Sequence, residues 1–373
     1  MLDGFVSQPN VVNYVALIDG GPSGWRWAGA AGIADRETKE KMTVEHQFRT
    51  ASVTKTFTAV VVLQLMEEGR LSLDTTLASL LPDGLPGGYA VNELHGAKEK
   101  LGDTITVRHL LSHTSGLPDY FFEPATAGDH AGRSVGDLWF QFLQNPSETS
   151  LNRQWSGSAI IADYFQSGLP AKAHFPPGGG IRYADTNFVL LALAAEKLTG
   201  KSLAENYRER ILDRLGMKHT YLEWYEPKRG DRLAHHFLNF GSKGGGNVDI
   251  VAAKLNTSAD WAGGGLVSTV DDLNVFVRAV FSGKLFQHQA TLEQMTKPLG
   301  TLPDGSQYGL GLMKSTTEAK QHTYWGHAGF WGVGMFYCPA SEVSVVFCRN
   351  QPADIGKELN VLHETLDEVG LFH

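Results

Sequence analysis

Apolar residues alternate or run together from Asn13 to Asp19 and again from Gly24 to Gly32, with Gly20-Gly21-Pro22 between them. This predicts a two-stranded hairpin, because a period of two suits a pleated strand and glycine with proline suits its turn. Asp35 to Glu45 is polar and reads as linker. From Phe57 to Met66 apolar residues fall on every side, and Glu67-Glu68-Gly69 stops the pattern. The expected element is a mostly buried helix over Val53 to Glu68, with Ser52 at its N-terminal end.

Leu71 to Pro82 reads as a turn and short helix, and Asp83 to Asp103 as a glycine-rich polar loop. Thr106 to Ser112 is amphipathic and stops at His113-Thr114-Ser115-Gly116-Leu117-Pro118. Leu138 to Leu143 and Ala159 to Phe165 are further helical stretches. Phe175-Pro176-Pro177-Gly178-Gly179-Gly180 breaks the chain before the apolar helix Val189 to Leu198. Trp261 to Gly265 reads as a glycine hinge, and Ser268-Thr269-Val270-Asp271-Asp272 as the cap of a helix over Leu273 to Phe281. Beyond it Tyr308 to Met313, Thr323 to Trp325, Gly332 to Tyr337 and Val343 to Cys348 look like short strands, and Ile355 to Val369 like a closing helix. Strands at both ends with helices between them predict an α/β fold of the α+β kind. The sheet would come from residues 1–50 and 290–373, flanked by helices. The inserted lobe of residues 51–289 would be helical, and the active site would lie where the two meet.

Composition narrows the functions open to such a fold. The 373 residues, with 42% hydrophobic and 19% charged, suit a large buried core, and 42 glycines suit many turns. A net charge of -8 argues against a nucleic-acid or anionic-membrane partner, since both need a basic surface. No apolar run reaches the length of a membrane span. The start Met-Leu-Asp-Gly-Phe has neither a charged n-region nor an apolar h-region. The expected location is cytoplasmic, or periplasmic or secreted if a leader has been removed. The two cysteines, Cys338 and Cys348, fall on consecutive strands where position 348 faces roughly position 333, so both are expected to be free thiols.

The candidate chemistry begins at Ser52-Val53-Thr54-Lys55. A hydroxyl three residues ahead of an amine, on one helical turn, is a nucleophile with a candidate base beside it. The start of a buried helix adds converging backbone N–H groups and a positive dipole end, which suits a product oxyanion. Ser52 could equally be a plain N-cap, so distant residues must decide. Tyr183 stands just before a helix and just after a rigid loop, a frequent way to present an active-site wall. His109 and His113 have metal-ligand spacing but no accompanying zinc pattern, so no metal is expected. Gly200-Lys201-Ser202 lacks the earlier glycine of a phosphate loop, and Gly241 to Gly246 lacks the strand-to-helix context, so no nucleotide or other cofactor is expected.

Three separated elements, Ser52-x-x-Lys55, Tyr183-x-Asp185 and His327-x-Gly329, occur in an order that resembles the penicillin-recognising serine hydrolases. This group holds the class C β-lactamases, the DD-peptidases and related family VIII-type esterases. Phe48 to Ser52, Leu110 to Leu117, Leu215-Gly216-Met217 and Gly264 to Thr269 extend the likeness over roughly Thr43 to Asn350. The resemblance implies a β-lactamase/transpeptidase-like fold with an antiparallel sheet. It also implies a nucleophilic Ser52 that forms an acyl-enzyme, with Lys55 and Tyr183 as one coupled proton-transfer unit in which charged Lys55 lowers the Tyr183 pKa. The backbone N–H groups of Ser52 and Phe330 would form the oxyanion hole, with Asp185, His327 and Gly329 binding substrate.

Departures from the group's pattern bear on the substrate. Asp185 stands where Asn is common and only accepts hydrogen bonds when ionised. Ala328 stands where a hydroxyl usually helps hold a substrate carboxylate. Phe330 is bulkier than usual. The expected function is therefore a serine hydrolase, esterase or peptidase-like, with weak β-lactam turnover and a preference for small-molecule or short-peptide esters and amides lacking a terminal carboxylate. The alternatives are a β-lactamase or a D-amino-acid-specific peptidase or DD-carboxypeptidase, and, in a different class, a non-catalytic binding or scaffold relative.

Overall fold

Every residue of the strands Val333–Cys338 and Val343–Cys348 is buried. Apolar runs of this kind, rich in β-branched and aromatic residues, suit strands covered on both faces. They lie at the centre of a nine-stranded antiparallel sheet in a computed structural model that describes residues 2–8, 11–96, 100–239, 247–317 and 322–368. In spatial order the strands are Glu40–Lys41, Arg26–Asp35, Asn13–Asp19, Val343–Cys348, Val333–Cys338, Thr323–Gly329, Met313–Thr316, Gln307–Tyr308 and Gly300–Thr301. The first strand of the chain thus pairs with the last, Val15 opposite Cys348.

Alternation along these strands separates two cores. Val15, Leu17, Trp325, Met335 and Val346 join the large core under the helices, whereas Tyr14, Ala16, Ile18, Phe336 and Phe347 meet Leu359 and Leu362 of the C-terminal helix on the other face. The register sets Val333 opposite Cys348 and Cys338 opposite Val343, so the two buried thiols stay apart and free.

The helical part is organised on Thr54–Glu67, in which every residue from Thr54 to Leu65 is buried. Phe57 stacks on Phe276 of the helix Val270–Phe281 with ring centroids 3.6 Å apart. That second helix begins at Thr269, whose side chain accepts from the Asp272 N–H, as its cap sequence predicts.

Several elements differ from the sequence expectation. The polar stretch 35–45 contains a short edge strand, Glu40–Lys41, whose exposed side chains give no burial pattern to read. The expected strand Tyr308 to Met313 is two strands, because Gly311, with φ 73°, packs so closely on the nucleophile helix that a Cβ would lie 2.3 Å from that of Ala59. The next strand runs on through Gly326 to Gly329. Its glycines conceal it from propensity, yet a Cβ at Gly326 would lie 1.8 Å from the Met335 carbonyl. The expected hinge 261–265 is a buried one-turn helix, Trp261–Gly264. The 241–246 segment and Val369 lie outside the described residues.

Candidate active site

The nucleophile turn is held from behind. Both the N–H and the hydroxyl of Thr50 donate to the Leu266 carbonyl, at 2.8 and 3.0 Å, and the Thr54 hydroxyl accepts from the Leu266 N–H at 3.1 Å. Between these anchors Ala51 takes φ 45°, a left-handed conformation that costs a residue with a Cβ about 1–3 kcal/mol and that surrounding contacts must impose. Ser52 follows on the short 3-10 turn Ala51–Val53, and the α-helix starts at Thr54.

Lys55 is fully buried beneath the serine. Its Nζ donates to Ser52 Oγ at 2.9 Å and to the Gly263 carbonyl at 2.8 Å, and it pairs with Asp185 Oδ1 at 2.5 Å. Asp185 opens the helix Asp185–Thr199, which starts four residues before the expected Val189. A Cβ at Gly263 would lie 3.4 Å from the Asp185 carboxyl carbon, so the glycine leaves room for this carboxylate.

Tyr183 covers the other side. Lys55 Nζ lies 4.8 Å from the centre of its ring. Its hydroxyl is buried and close enough to Ser52 for the serine to favour ionisation, yet it sits in hydrogen-bonding geometry with no described residue. Burial first, then Asp185, push its pKa well above the ordinary tyrosine value. This corrects the expectation of a tyrosine lowered by Lys55. The ammonium is committed to Asp185, so the carboxylate acts on the phenol instead, and Tyr183 rests as a neutral phenol.

His327 belongs to the wall behind Tyr183. Burial first and Lys55 second lower its pKa to about 3, which makes it neutral. Nδ1 then donates to the Ala328 carbonyl at 2.7 Å, and Nε2 accepts from the Tyr308 hydroxyl at 2.9 Å. His113, buried and 4.2 Å from the Tyr183 ring, is likewise held neutral by burial and Lys55. Both histidines position the phenol's surroundings, and His327 has both ring nitrogens occupied.

Gly329 brings the sheet onto the nucleophile: a Cβ there would lie 2.3 Å from the Thr50 carbonyl. The following Phe330 is 40% exposed and packs edge-on against Trp331 at the mouth of a cleft shared with Ser52. Among the described residues no hydrogen bond uses the amide of Ser52 or of Phe330, which leaves both donors free for an oxyanion. Ala328 points the other way. Its side chain packs against the outer-face core and lines a cavity with Met313 and Leu359, not the Ser52 cleft. Its lack of a hydroxyl therefore does not shape the cleft, contrary to the expectation drawn from the motif.

The cleft beside Ser52 is walled by Phe121, Phe122, Trp139, Phe140, Leu238 and Trp331, and its charged side chains are Asp185 and Asp260. Two acids escaped the sequence reading. Asp119 accepts from the Phe121 and Asp185 N–H groups at 2.7 and 3.1 Å, and burial with Asp185 nearby raises its pKa to about 7. Burial and the same neighbour raise Asp260 to about 8. Their only local signal is an acid beside a turn, which is common on surfaces, so nothing in the chain order marks them as part of the site.

A family model described as Beta-lactamase matches residues 10–364. The chain belongs to the beta-lactamase family. Within it, the chain is 31% identical over 188 residues to penicillin-binding protein 4 of Amycolatopsis lactamdurans, covering 50% of this chain and 39% of that protein. It is 33% identical over 201 residues to esterase EstB of Burkholderia gladioli, covering 54% and 44%. The chain thus spans under half the length of these curated relatives. Among solved structures, a D-stereospecific amidohydrolase from a Streptomyces species superposes with a TM-score of 0.76 at 27% identity, covering 97% of this chain and 95% of that one. The antiparallel sheet, flanking helices and inserted helical lobe are the β-lactamase/transpeptidase-like fold, and the family is one of serine hydrolases.

Proposed function

We propose that this beta-lactamase family member is a serine acyl-hydrolase that cleaves esters or amides lacking a terminal carboxylate through an acyl-enzyme on Ser52. The observation that carries the reading is the Lys55 ammonium 2.9 Å from Ser52 Oγ, with Asp185 as its counter-ion. Lys55 donates to the serine at rest, so it must release a proton before it accepts one. Asp185, at 2.5 Å, is the group placed to receive it. Ser52 Oγ then attacks the carbonyl carbon as its proton passes to Lys55, and the developing oxyanion meets the free Ser52 and Phe330 amides. Neutral Tyr183 gives its proton to the leaving group and recovers one from Lys55. Water releases the acyl group by the reverse path.

The preference against carboxylates rests on charge. Among the described residues lining the cleft there is no Lys or Arg, and two acids are present. A substrate carboxylate entering this low-dielectric space finds no cationic side chain among those lining it to offset its lost hydration. Similarity to an esterase and to an amidohydrolase supports both bond types. The test is a fluorophosphonate followed by intact mass, with nitrophenyl acetate and nitrocefin as substrates. The expected results are one adduct on the native chain, none on Ser52→Ala, and acetate turnover exceeding nitrocefin turnover. No adduct on the native chain would establish the non-catalytic alternative, and efficient nitrocefin hydrolysis the β-lactamase one.

A further inference from the structure

Asp260 is an acid without a partner, placed where a substrate goes. It lines the Ser52 cleft, and among the described residues its carboxyl makes no hydrogen bond or ion pair. It occupies the cap position of the helix Trp261–Gly264, yet its side chain caps nothing. The next residue, Trp261, takes φ 28°, a strained value for a large side chain, and Trp261 is itself buried. Gly264 leaves the space the carboxyl uses, since a Cβ there would lie 3.2 Å from the Asp260 carboxyl carbon.

The groups that could neutralise Asp260 are engaged elsewhere. Arg49 forks onto Glu223, and Lys55 is paired with Asp185. The Tyr225 hydroxyl donates to the Trp155 and Ser258 carbonyls, and that of Tyr120 to the Ala259 carbonyl. The remaining charged neighbours, Asp185 and Glu223, repel it. A half-buried acid without a cation, opposed by further acids in an aromatic cleft, favours a cationic ligand.

The side of the cleft is also informative. Tyr183, the group that must protonate the leaving group, does not line this space, whereas Ser52, Asp260 and the aromatic wall do. The cleft therefore receives the part of the substrate that stays on the serine. We infer that Asp260 is an ammonium-binding residue of the acyl pocket, so that the enzyme takes acyl groups with a protonated amine and an apolar or aromatic body. The inference rests on the serine-hydrolase reading above. The aromatic rings facing Asp260 add cation–π attraction for the same ammonium.

The test compares nitroanilides of phenylalanine, both enantiomers, with that of 3-phenylpropionate, which differs only in lacking the amine. A charge-assisted hydrogen bond predicts kcat/KM about 10- to 150-fold higher for the better amine-bearing enantiomer. In Asp260→Asn that ratio falls toward one, and Asp260→Glu retains part of it. On the native protein, phenethylamine inhibits nitrophenyl acetate hydrolysis at least about tenfold more strongly than 2-phenylethanol. Fluorophosphonate labelling counts the competent sites in each variant, so a misfolded variant is not scored, and the inhibitor comparison needs no variant. Equal inhibition, equal kcat/KM, or an unchanged ratio in Asp260→Asn overturns the amine site while labelling of Ser52 still stands. Absence of labelling on the native chain overturns both readings.

Discussion

Arg49 and Lys55 flank Ser52 in the chain, both are buried, and each has one carboxylate partner, yet the two pairs are built for different ends. Arg49 meets Glu223 as a fork, Nε to Oε2 at 2.6 Å and the terminal nitrogen to Oε1 at 3.0 Å, and Glu223 also accepts from the Thr257 hydroxyl. Burial acts against this cation, but Glu223 more than restores it, and the Arg49 pKa ends above its ordinary value. Lys55 has Asp185 at 2.5 Å, but Asp119 and Asp260 stand near that carboxylate with no cation of their own among the described residues. Arg49–Glu223 balances one charge with one. Around Lys55 there is a surplus of acid, which burial keeps partly protonated. A balanced buried pair fixes geometry, whereas an unbalanced one holds protons that can move and charge that a ligand can satisfy.

Breaking either pair separates the two roles. Lys55→Met should lower kcat/KM for nitrophenyl acetate by at least about a thousandfold, since it removes the proton relay and the group that orients Ser52. Titrating competent sites with fluorophosphonate should show labelling slowed alongside it. Retention of more than a tenth of the activity would mean that Lys55 is as structural as Arg49.

Glu223→Ala should destabilise the fold by about 3–5 kcal/mol, because it strands a buried guanidinium. Urea unfolding measures this, and the folded fraction should still label at Ser52. Tyr183→Phe should cost about 10²- to 10⁴-fold in kcat, as expected for loss of a positioned acid, with the larger loss on amides, whose leaving group needs the proton more. A uniform small loss on esters and amides would make Tyr183 a wall alone.

Asp260→Asn is expected to raise stability, and the sign follows from its titration. The folded state holds this proton up to about pH 8, whereas an unfolded aspartate releases it near its ordinary value of 3.8. Over that window the native state binds the extra proton, so its stability falls as pH rises. The unfolding free-energy advantage of Asp260→Asn, read from urea unfolding, should therefore grow from pH 5 to pH 9, by an amount on the order of a few kcal/mol. An advantage that shrinks with pH would show that the acid is paired in solution. The smallest effect is expected of Phe330→Ala, which widens the cleft mouth while the backbone amide remains, and should change KM for bulky acyl groups more than kcat.

How far these features can be read from the chain depends on their range. The nucleophile helix is legible because its apolar residues fall on every side, and its serine and lysine are one turn apart. The central strands are legible because Val343 to Cys348 is apolar and β-branched. The strand through Gly326 and Gly329 is harder to read, since its glycines answer contacts with Met335 and Thr50 that lie far away in sequence.

By itself, then, the sequence determined the local elements, the Ser52–Lys55 spacing and the free thiols, because each depends on neighbours within a turn or a hairpin. Only the tertiary structure decided the charge state around Lys55, the direction of Ala328, the neutral histidines and the lone acid at 260. Those depend on burial and on which distant carboxylates converge, and Coulomb interaction with desolvation acts through space, where chain order carries no record of distance.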